Sequence, residues 1–289
     1  MQPGLHRFVS RLTRKVAAWA PIARQRPAPR DAQLNVYNVK QMLAQEPQRF
    51  AFLRFDSNND CNVRCVYCHN HRSKEVVATE DLCTFLERNV IMVENFQIGC
   101  IMEPTLDPRM CDLMMLVDNS RGRPTNTFLL QTNGILLHKH DQAKMRDAGL
   151  THVCVSIDAA DPAIHKTLRG GSSMAKVGAN IESLRRHSPS IKLVFLTTVT
   201  NLNIHAMEDL VKFGLGLAVN KFVMREVFYF PDNNVVDHSK MTNILLEEND
   251  FALMKERLLA TFGGRVSFDF ADASFLDYSA KRIRADSFR

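Results

Sequence analysis

Short β-type runs and amphipathic helical stretches alternate along the chain from Phe50 onward. Six runs have the length and the β-branched or aromatic content of buried strands: Phe52–Phe55, Gln97–Met102, Thr127–Gln131, His152–Ile157, Leu193–Val199 and Lys221–Phe228. Strands that are joined through helices pair in parallel with right-handed crossovers, so the pattern predicts a parallel α/β sheet. The spacing favours a partial (β/α)6 TIM-type barrel, and a flat doubly wound sheet fits the same alternation.

The helical stretches carry their own start and stop signals. Thr79 is a plausible N-cap for the helix that follows it, and Gly149 and Gly214 stand where helix C-termini are expected. A further helix near Leu246–Phe262 and a β-run at Val266–Phe270 follow the sixth strand. These two segments predict a short C-terminal α/β appendage.

Basic charge is concentrated at the start of the chain. Residues 1–30 hold no acid and seven basic residues: Arg7, Arg11, Arg14, Lys15, Arg24, Arg26 and Arg30. Without these seven, 30 of the 37 basic residues remain against 31 acidic ones, so the rest of the chain is close to neutral. A near-neutral body argues against a nucleic-acid groove across the fold.

The basic N-terminal stretch is open to several interpretations. It has the composition of a membrane-surface anchor, a partner-docking segment, an organellar transit peptide or a poorly ordered extension. Elsewhere no apolar run reaches the roughly 18 residues that span a bilayer, which favours a cytoplasmic protein. We expect three parts: residues 1–48 as a basic extension with a linker at Arg24–Asp31, residues 49–230 as the barrel, and residues 231–289 as a C-terminal extension.

Three of the seven cysteines lie within eight residues, at Cys61, Cys65 and Cys68. This grouping indicates metal binding in a reducing compartment. Three thiolates in one loop can hold an iron–sulfur cluster and leave one iron open. A zinc site with His69 or His71 as a fourth ligand is the alternative, although no second cysteine pair follows. The cysteines in predicted helices and strands are interpreted as buried hydrophobic residues: Cys83, Cys111 and Cys154.

The motif C-x3-C-x2-C, with Tyr67 directly before the last cysteine and placed after the first strand, resembles the signature of the radical S-adenosylmethionine superfamily. The resemblance covers roughly Phe50–Phe230. It implies that Cys61, Cys65 and Cys68 bind a 4Fe-4S cluster whose open iron chelates the amino and carboxylate groups of S-adenosylmethionine. It also implies that Tyr67 packs near the adenine of this cofactor.

Further cofactor contacts are implied at the ends of the later strands. The superfamily usually has Gly-Gly-Glu-Pro after the second strand, and its backbone receives the cofactor's amino group. Here Glu103-Pro104 is kept, while Ile101 and Met102 stand in place of the glycines. An alternative interpretation of Asp158 is that it caps the following helix. The positions implied to bind the cofactor are Met102, Glu103, Thr132, Asn133, Ser156, Asp158, Asn201 and Met224.

Members of this superfamily cleave S-adenosylmethionine reductively to a 5′-deoxyadenosyl radical, which abstracts hydrogen from the substrate. The low potential that this requires implies a flavodoxin- or ferredoxin-type reductant as partner. The near-neutral body and the lack of any cysteine after Cys154 favour a small molecule, such as a sugar or nucleoside derivative, over a peptide. The other function classes are a non-catalytic iron–sulfur electron carrier and a zinc-binding interaction module.

Overall fold

The computed structural model describes residues 30–46, 50–89, 93–121 and 127–271. The predicted N-terminal leader, residues 1–29, lies outside this part of the chain. The described residues form two compact units. The first unit contains the described residues up to Asp60, Ser73–Gln131 and His138–His152. The second unit contains Cys61–Arg72, Thr132–Leu137 and the described residues from Val153 onward.

In the first unit four neighbouring strands pair in parallel in the order of the chain, the fourth of them through Gln131. The strands are β1 (Arg30–Leu34), β2 (Phe50–Phe55), β3 (Val93–Ile98) and β4 (Thr127–Thr132). The helices are α1 (Val39–Leu43), α2 (Thr79–Asn89), α3 (Met110–Arg121) and α4 (Gln142–Asp147). Strand β2 lies between β1 and β3, with Phe55 beside Leu34 and Ile98.

In the second unit the strands also follow chain order, and β7 pairs in parallel with both of its neighbours. The strands are β5 (His152–Ser156), β6 (Lys192–Val199), β7 (Lys221–Glu226) and β8 (Ser267–Ala271). The helices are α5 (Pro162–Leu168), α6 (Met174–His187), α7 (Met207–Gly216), α8 (His238–Thr242) and α9 (Asp250–Phe262).

Most residues of strands β2 to β6 are buried, as is usual for parallel sheets covered by helices, whereas no residue of β8 is buried. In β4, the consecutive residues Phe128, Leu129 and Leu130 are each at most 1% exposed. In the second unit, Phe195 of β6 packs edge-on against Phe222 of β7, with ring centroids 5.6 Å apart. Nearly continuous apolar runs therefore identified these strands in the sequence.

Local capping explains where several helices begin and end. Asp141 precedes α4, and its carboxylate accepts the N–H groups of Ala143 and Lys144. Asp161 caps α5 in the same way. Gly149, which follows α4, has a φ of +78°, a left-handed conformation that glycine adopts without strain. The end of α4 before Gly149 agrees with the sequence prediction.

Several boundaries differ from the prediction, and the surroundings of Gly99 and Gly214 explain two of them. Strand β3 begins and ends four residues earlier than the predicted run Gln97–Met102, because Gly99 has a φ of +76° and leaves the extended conformation. A Cβ atom at Gly99 would overlap the carbonyl oxygen of Gln131. Gly214 lies inside α7 rather than at its end, because its position faces the ring of Phe222, which a Cβ atom would approach to 2.5 Å.

The N-terminal part of the sheet was not predicted. Arg30 and Asp31, which the sequence analysis placed in a linker, belong to β1, and Leu34 at the end of this strand is fully buried. The run at Val266–Phe270 corresponds to β8. The proposed boundaries after residues 48 and 230 stay predictions. Among the described residues, no helix is both long enough and apolar enough to cross a membrane.

Candidate active site

The three clustered cysteines lie in the segment between β2 and α2, within the second unit. Cys61, Cys65 and Cys68 are half-buried and form no disulfide bond. Cys83, Cys111 and Cys154 are buried, as predicted. We refer to residues 61–72 as the cysteine loop.

The backbone of the cysteine loop is held by the last residue of α5 and by the residues that follow it. The N–H of Arg64 donates to the carbonyl of Gly170, and the N–H of Val66 donates to the carbonyl of Leu168, each at 2.9 Å. A Cβ atom at Gly170 would overlap the Arg64 carbonyl oxygen. Glycine at this position therefore allows the close approach of the two backbones.

Two polar side chains brace the start of the cysteine loop. The guanidinium of Arg72 donates to the carbonyls of Cys61, at 3.2 Å, and Val63. The amide of Asn133 donates to the side-chain oxygen of Asn62 at 2.7 Å. The first cysteine is thus fixed from within the loop and from the turn after β4.

A buried ion pair lies beside the loop. Asp158, two residues after β5, is fully buried, and its carboxylate accepts Nε and Nη2 of Arg169, both at 2.9 Å. The hydroxyl of Tyr67 donates to the same carboxylate, and so does the N–H of Thr198 at 3.0 Å. Paired, fully hydrogen-bonded burial of this kind is what an interior charge requires.

This geometry bears on the expected role of Asp158. Its two oxygens already accept four hydrogen bonds from the protein, so the carboxylate orients Tyr67 and Arg169. The alternative interpretation, that Asp158 caps the following helix, is wrong because Asp161 caps α5. Direct contact between Asp158 and a cofactor stays a prediction.

The buried charges change the acidity of the neighbouring groups. Burial raises the pKa of the Cys65 thiol to about 11, which the Arg169 guanidinium opposes and which Asp158, Cys68 and Cys61 reinforce. Burial also raises the pKa of Tyr67 well above its ordinary value. At neutral pH Cys65 is therefore a thiol in the metal-free chain, and metal binding must displace its proton.

His165 is a second buried titratable group next to this ion pair. Its Nε2 lies 2.8 Å from the hydroxyl of Ser172, and its Nδ1 accepts the N–H of Asp158 at 3.3 Å. Burial lowers the pKa of His165 to about 4, with Arg169 acting in the same direction and Asp158 against it. Sequence reasoning missed His165 and Arg169, because their contacts with Asp158 depend on burial and not on a recognisable spacing.

In the first unit, the segment after β3 is organised around Asp56, which sequence reasoning also missed. This side chain is 3% exposed and accepts the N–H groups of Cys100 at 2.8 Å and of Ile101 and Met102 at 3.3 Å each. The side chain of Gln33 donates to the same carboxylate at 2.7 Å. Asp56 thus fixes the backbone directly before Glu103.

Glu103 is 2% exposed and belongs to the same segment. Its carboxylate accepts the N–H of Thr105 at 3.1 Å and the Thr105 hydroxyl, and so caps a short 3₁₀ turn. Its carbonyl accepts the side-chain amide of Asn58 at 3.0 Å. The predicted site residue Glu103 is therefore engaged with the protein through both side chain and backbone.

The remaining predicted positions differ in exposure. The Thr132 hydroxyl and the Asn133 side chain accept the N–H groups of Gly134 and Ile135 in the turn after β4. Ser156 is half-buried at the end of β5. Met224 is fully buried in β7. Asn201 is exposed, and its side-chain amide donates to the Asn243 carbonyl at 2.8 Å.

The donor set fits an iron–sulfur cluster. Within the described residues, no group of three or more His, Cys, Asp or Glu side chains is arranged to hold a single metal ion. A 4Fe-4S cluster instead takes thiolates on separate irons. The loop supplies three such ligands, because its three cysteines form no disulfide bond and lie close enough for Cys61 and Cys68 to raise the pKa of Cys65.

Comparison of the sequence with known proteins gives a family. The model of the radical SAM superfamily matches residues 57–214, which is 158 of the 289 residues. A probable GTP 3′,8-cyclase of Methanococcus aeolicus is 26% identical over 212 residues, 71% of this chain and 61% of that protein. The GTP 3′,8-cyclase of Alkaliphilus oremlandii is 25% identical over 60% of this chain and 55% of its own length. The chain spans about three fifths or less of the length of these relatives.

Comparison of the structure gives the fold. Streptococcus suis SuiB bound to precursor peptide SuiA matches with a TM-score of 0.63 and 14% identity, over 96% of this chain and 63% of SuiB. Native anSMEcpe with bound AdoMet and Cp18Cys peptide matches with a TM-score of 0.58 and 21% identity, over 75% of this chain and 63% of that one. This likeness confirms the predicted α/β fold of parallel strands, of the partial-barrel type.

The family model covers more than half of the chain and includes all three clustered cysteines. Membership makes the protein an enzyme and sets aside the electron-carrier and zinc-module alternatives. Such enzymes need a reductant and a substrate in addition to their cofactors. The chain belongs to the radical SAM superfamily, whose members use a 4Fe-4S cluster and S-adenosylmethionine.

Proposed function

We propose that Cys61, Cys65 and Cys68 hold a 4Fe-4S cluster at which S-adenosylmethionine is reductively cleaved, and that the substrate is a nucleotide or a related nucleoside derivative. The observation that carries the first part is the grouping of three half-buried cysteines, none of them in a disulfide bond, within one loop. When bound, the cluster supplies the electron that splits the sulfonium of the cofactor. The chain's own residues fix the backbone of the loop.

The second unit supports this role through Tyr67 and Arg169. Tyr67 is held by its hydroxyl bond to Asp158, and the Arg169 guanidinium carbon lies 5.8 Å from the centroid of its ring. Held in this way, the tyrosine ring is available as a rigid wall for the cofactor's adenine. We propose that Asn133 and Ser156 contact the cofactor directly. The fully buried Met224 and the exposed Asn201 would act only through packing and loop position.

In the first unit we propose that the backbone around Met102 and Glu103 binds the amino group of the cofactor. The Glu103 carboxylate already accepts two hydrogen bonds from Thr105, so the main chain of this segment is the better candidate for direct contact. The carboxylate of Glu103 would then shape the segment.

The nucleotide part of the proposal rests on the relatives named GTP 3′,8-cyclase. It agrees with the near-neutral body expected to take a small molecule. A peptide is the competing substrate class. We further propose a flavodoxin- or ferredoxin-type reductant and a cytoplasmic location, with residues 1–30 available for a membrane-surface or protein contact.

The test is formation of 5′-deoxyadenosine by the full chain. The protein is reconstituted anaerobically with iron and sulfide and supplied with dithionite, S-adenosylmethionine and GTP deuterated in its ribose. We expect 5′-deoxyadenosine that carries deuterium. A Cys61→Ala, Cys65→Ala, Cys68→Ala triple variant should form none, whereas Cys83→Ala, which removes a buried thiol outside the loop, should behave like the wild type.

The two parts of the proposal fail separately. Unlabelled 5′-deoxyadenosine from the wild type would retain the cofactor chemistry and reject GTP as hydrogen donor. A peptide that stimulates cleavage where GTP does not would assign the competing substrate class. An iron content unchanged in the triple variant would reject the three cysteines as the cluster ligands.

A further inference from the structure

Three consecutive amide groups converge on one buried carboxylate in the first unit. The N–H groups of Cys100, Ile101 and Met102 all donate to Oδ1 of Asp56, at 2.8, 3.3 and 3.3 Å. Charge-assisted hydrogen bonds are about twice as strong as neutral ones. Three of them to a single oxygen therefore define the direction of each peptide plane in this stretch.

A second pair of bonds holds the other end of the same stretch, which we call the 100–103 segment. The side-chain amide of Asn58 donates to the carbonyl of Glu103, and the N–H of Glu103 donates to the carbonyl of Asp60, each at 3.0 Å. Residues 56–60 thus bind the 100–103 segment at both ends.

The side chains of the 100–103 segment do not by themselves select this backbone path. Ile101 is 40% exposed and Met102 is half-buried, so neither is locked by full burial. Isoleucine, being β-branched, is stiff and favours extended conformations. The converging hydrogen bonds to Asp56 therefore fix the amides of residues 100–102, beside the bonds that the Cys100 and Glu103 carbonyls accept from Gln131 and Asn58.

We propose that Asp56 is a positioning residue, which presets the 100–103 segment in the conformation that binds S-adenosylmethionine. This inference rests on the proposed function, in which the backbone of the segment receives the cofactor. The carboxylate itself does not touch the cofactor. It raises the affinity for the cofactor because three peptide groups are already ordered before the cofactor binds. Preorganisation raises affinity mainly by lowering such ordering costs.

The variant for the test is Asp56→Asn in the full chain. Asparagine keeps the shape of the side chain but replaces one oxygen by an N–H donor and removes the charge. The matched control is Asp107→Asn. Asp107 is also in the first unit, is 2% exposed, and is held by the Arg109 guanidinium at 2.8 Å. Both variants lose one buried carboxylate, but only Asp56 accepts hydrogen bonds from the 100–103 segment.

Two measurements separate positioning from general destabilisation. Hydrogen exchange of the cofactor-free chain should show faster exchange of the amides of the 100–103 segment in Asp56→Asn than in Asp107→Asn or the wild type. In the reconstituted enzyme, the Kd and KM for S-adenosylmethionine should rise about ten-fold or more in Asp56→Asn. The turnover at saturating cofactor should change much less, and Asp107→Asn should bind the cofactor like the wild type.

The outcomes that overturn the inference are distinct from those that overturn the proposed function. An unchanged Kd in Asp56→Asn, or an equal loss of affinity in Asp107→Asn, would reject the positioning role while the proposed function stands. Exchange in the 100–103 segment that is the same in all three proteins would reject it as well. A wild-type chain that carries a cluster and does not bind S-adenosylmethionine would overturn the proposed function and this inference together.

Discussion

Each of the two units buries an aspartate just after a strand, and the two carboxylates are hydrogen-bonded in different ways. Asp56 follows β2 and accepts three backbone N–H groups and the amide of Gln33. Asp158 follows β5 and accepts the Arg169 guanidinium twice, the Tyr67 hydroxyl and one backbone N–H. Most of the donors to Asp56 belong to the main chain, and most of those to Asp158 belong to side chains.

The difference determines what each carboxylate holds in place. Neutral donors leave Asp56 as a net buried charge, and burial raises its pKa above the ordinary 3.8 even though the backbone and Gln33 hydrogen bonds oppose the shift. The folded state then binds this proton more tightly than the unfolded state, so this group's contribution to stability falls as the pH rises from 3.8 through the folded pKa. Burial of the charged Asp56 therefore lowers stability near neutral pH, while its hydrogen bonds fix a backbone segment. Asp158 instead fixes two side chains.

Removing the cation from the Asp158 pair should have the largest effect. In Arg169→Met the buried carboxylate loses its guanidinium, and an uncompensated buried charge costs about 3–5 kcal/mol. We expect a loss of this size in the free energy of unfolding of the cofactor-free chain, measured in urea near pH 7.

The matched control is Arg257→Met in the same unit. Arg257 pairs with Glu208 at 2.9 Å, and the two side chains are 51% and 31% exposed. Exposed pairs contribute about 0–1 kcal/mol. Equal losses in the two variants would mean that burial does not distinguish the Asp158 pair, and the contrast with Asp56 would lose its basis.

The local features of the fold could be predicted from the sequence. The start of α4 at Asp141 and its end before Gly149 depend on neighbouring residues alone, and both predictions agree with the structure. The end of β3 depends on how closely Gly99 approaches Gln131, which is distant in the chain. Strand β1 was missed for a similar reason, because Leu34 is buried by pairing with residues about twenty positions later.

The candidate site also contains features that depend on local sequence and features that depend on contacts between distant residues. The spacing of Cys61, Cys65 and Cys68 is visible in the sequence because the ligands lie in one loop. The main-chain partners of Asp56 lie 44 to 46 residues away, and no local pattern reveals them. Arg169 lies only 11 residues from Asp158, but its pairing depends on burial rather than on spacing.

A smaller effect is expected from the neutral histidine next to the Asp158 pair. His165 has a folded pKa of about 4, against 6.5 in the unfolded chain, so the unfolded state binds more protons between these values. Its contribution to stability is complete above pH 6.5 and is lost as the pH falls towards 4. At 1.36 kcal/mol per pKa unit, this loss is on the order of 3 kcal/mol at full extent.

The variant His165→Gln removes this titration. Urea unfolding between pH 7 and pH 4 should show a shallower acid loss of stability in His165→Gln than in the wild type. His187→Gln, which replaces an exposed histidine at the end of α6, is the matched control for the substitution itself. A variant His165→Gln with an unchanged slope would show that His165 is protonated in the folded state at pH 5 to 6.

The smallest effect is expected where the side-chain donor of Asp56 is removed. Gln33→Met keeps a similar volume and deletes the 2.7 Å hydrogen bond to Asp56, but three amide donors remain. We expect a loss of about 1 kcal/mol in the free energy of unfolding at pH 7. The loss should shrink towards pH 4, because Gln33 lowers the pKa of Asp56 and its bond favours the charged form. A loss as large as that of Arg169→Met would mean that a side chain, and not the backbone, stabilises Asp56.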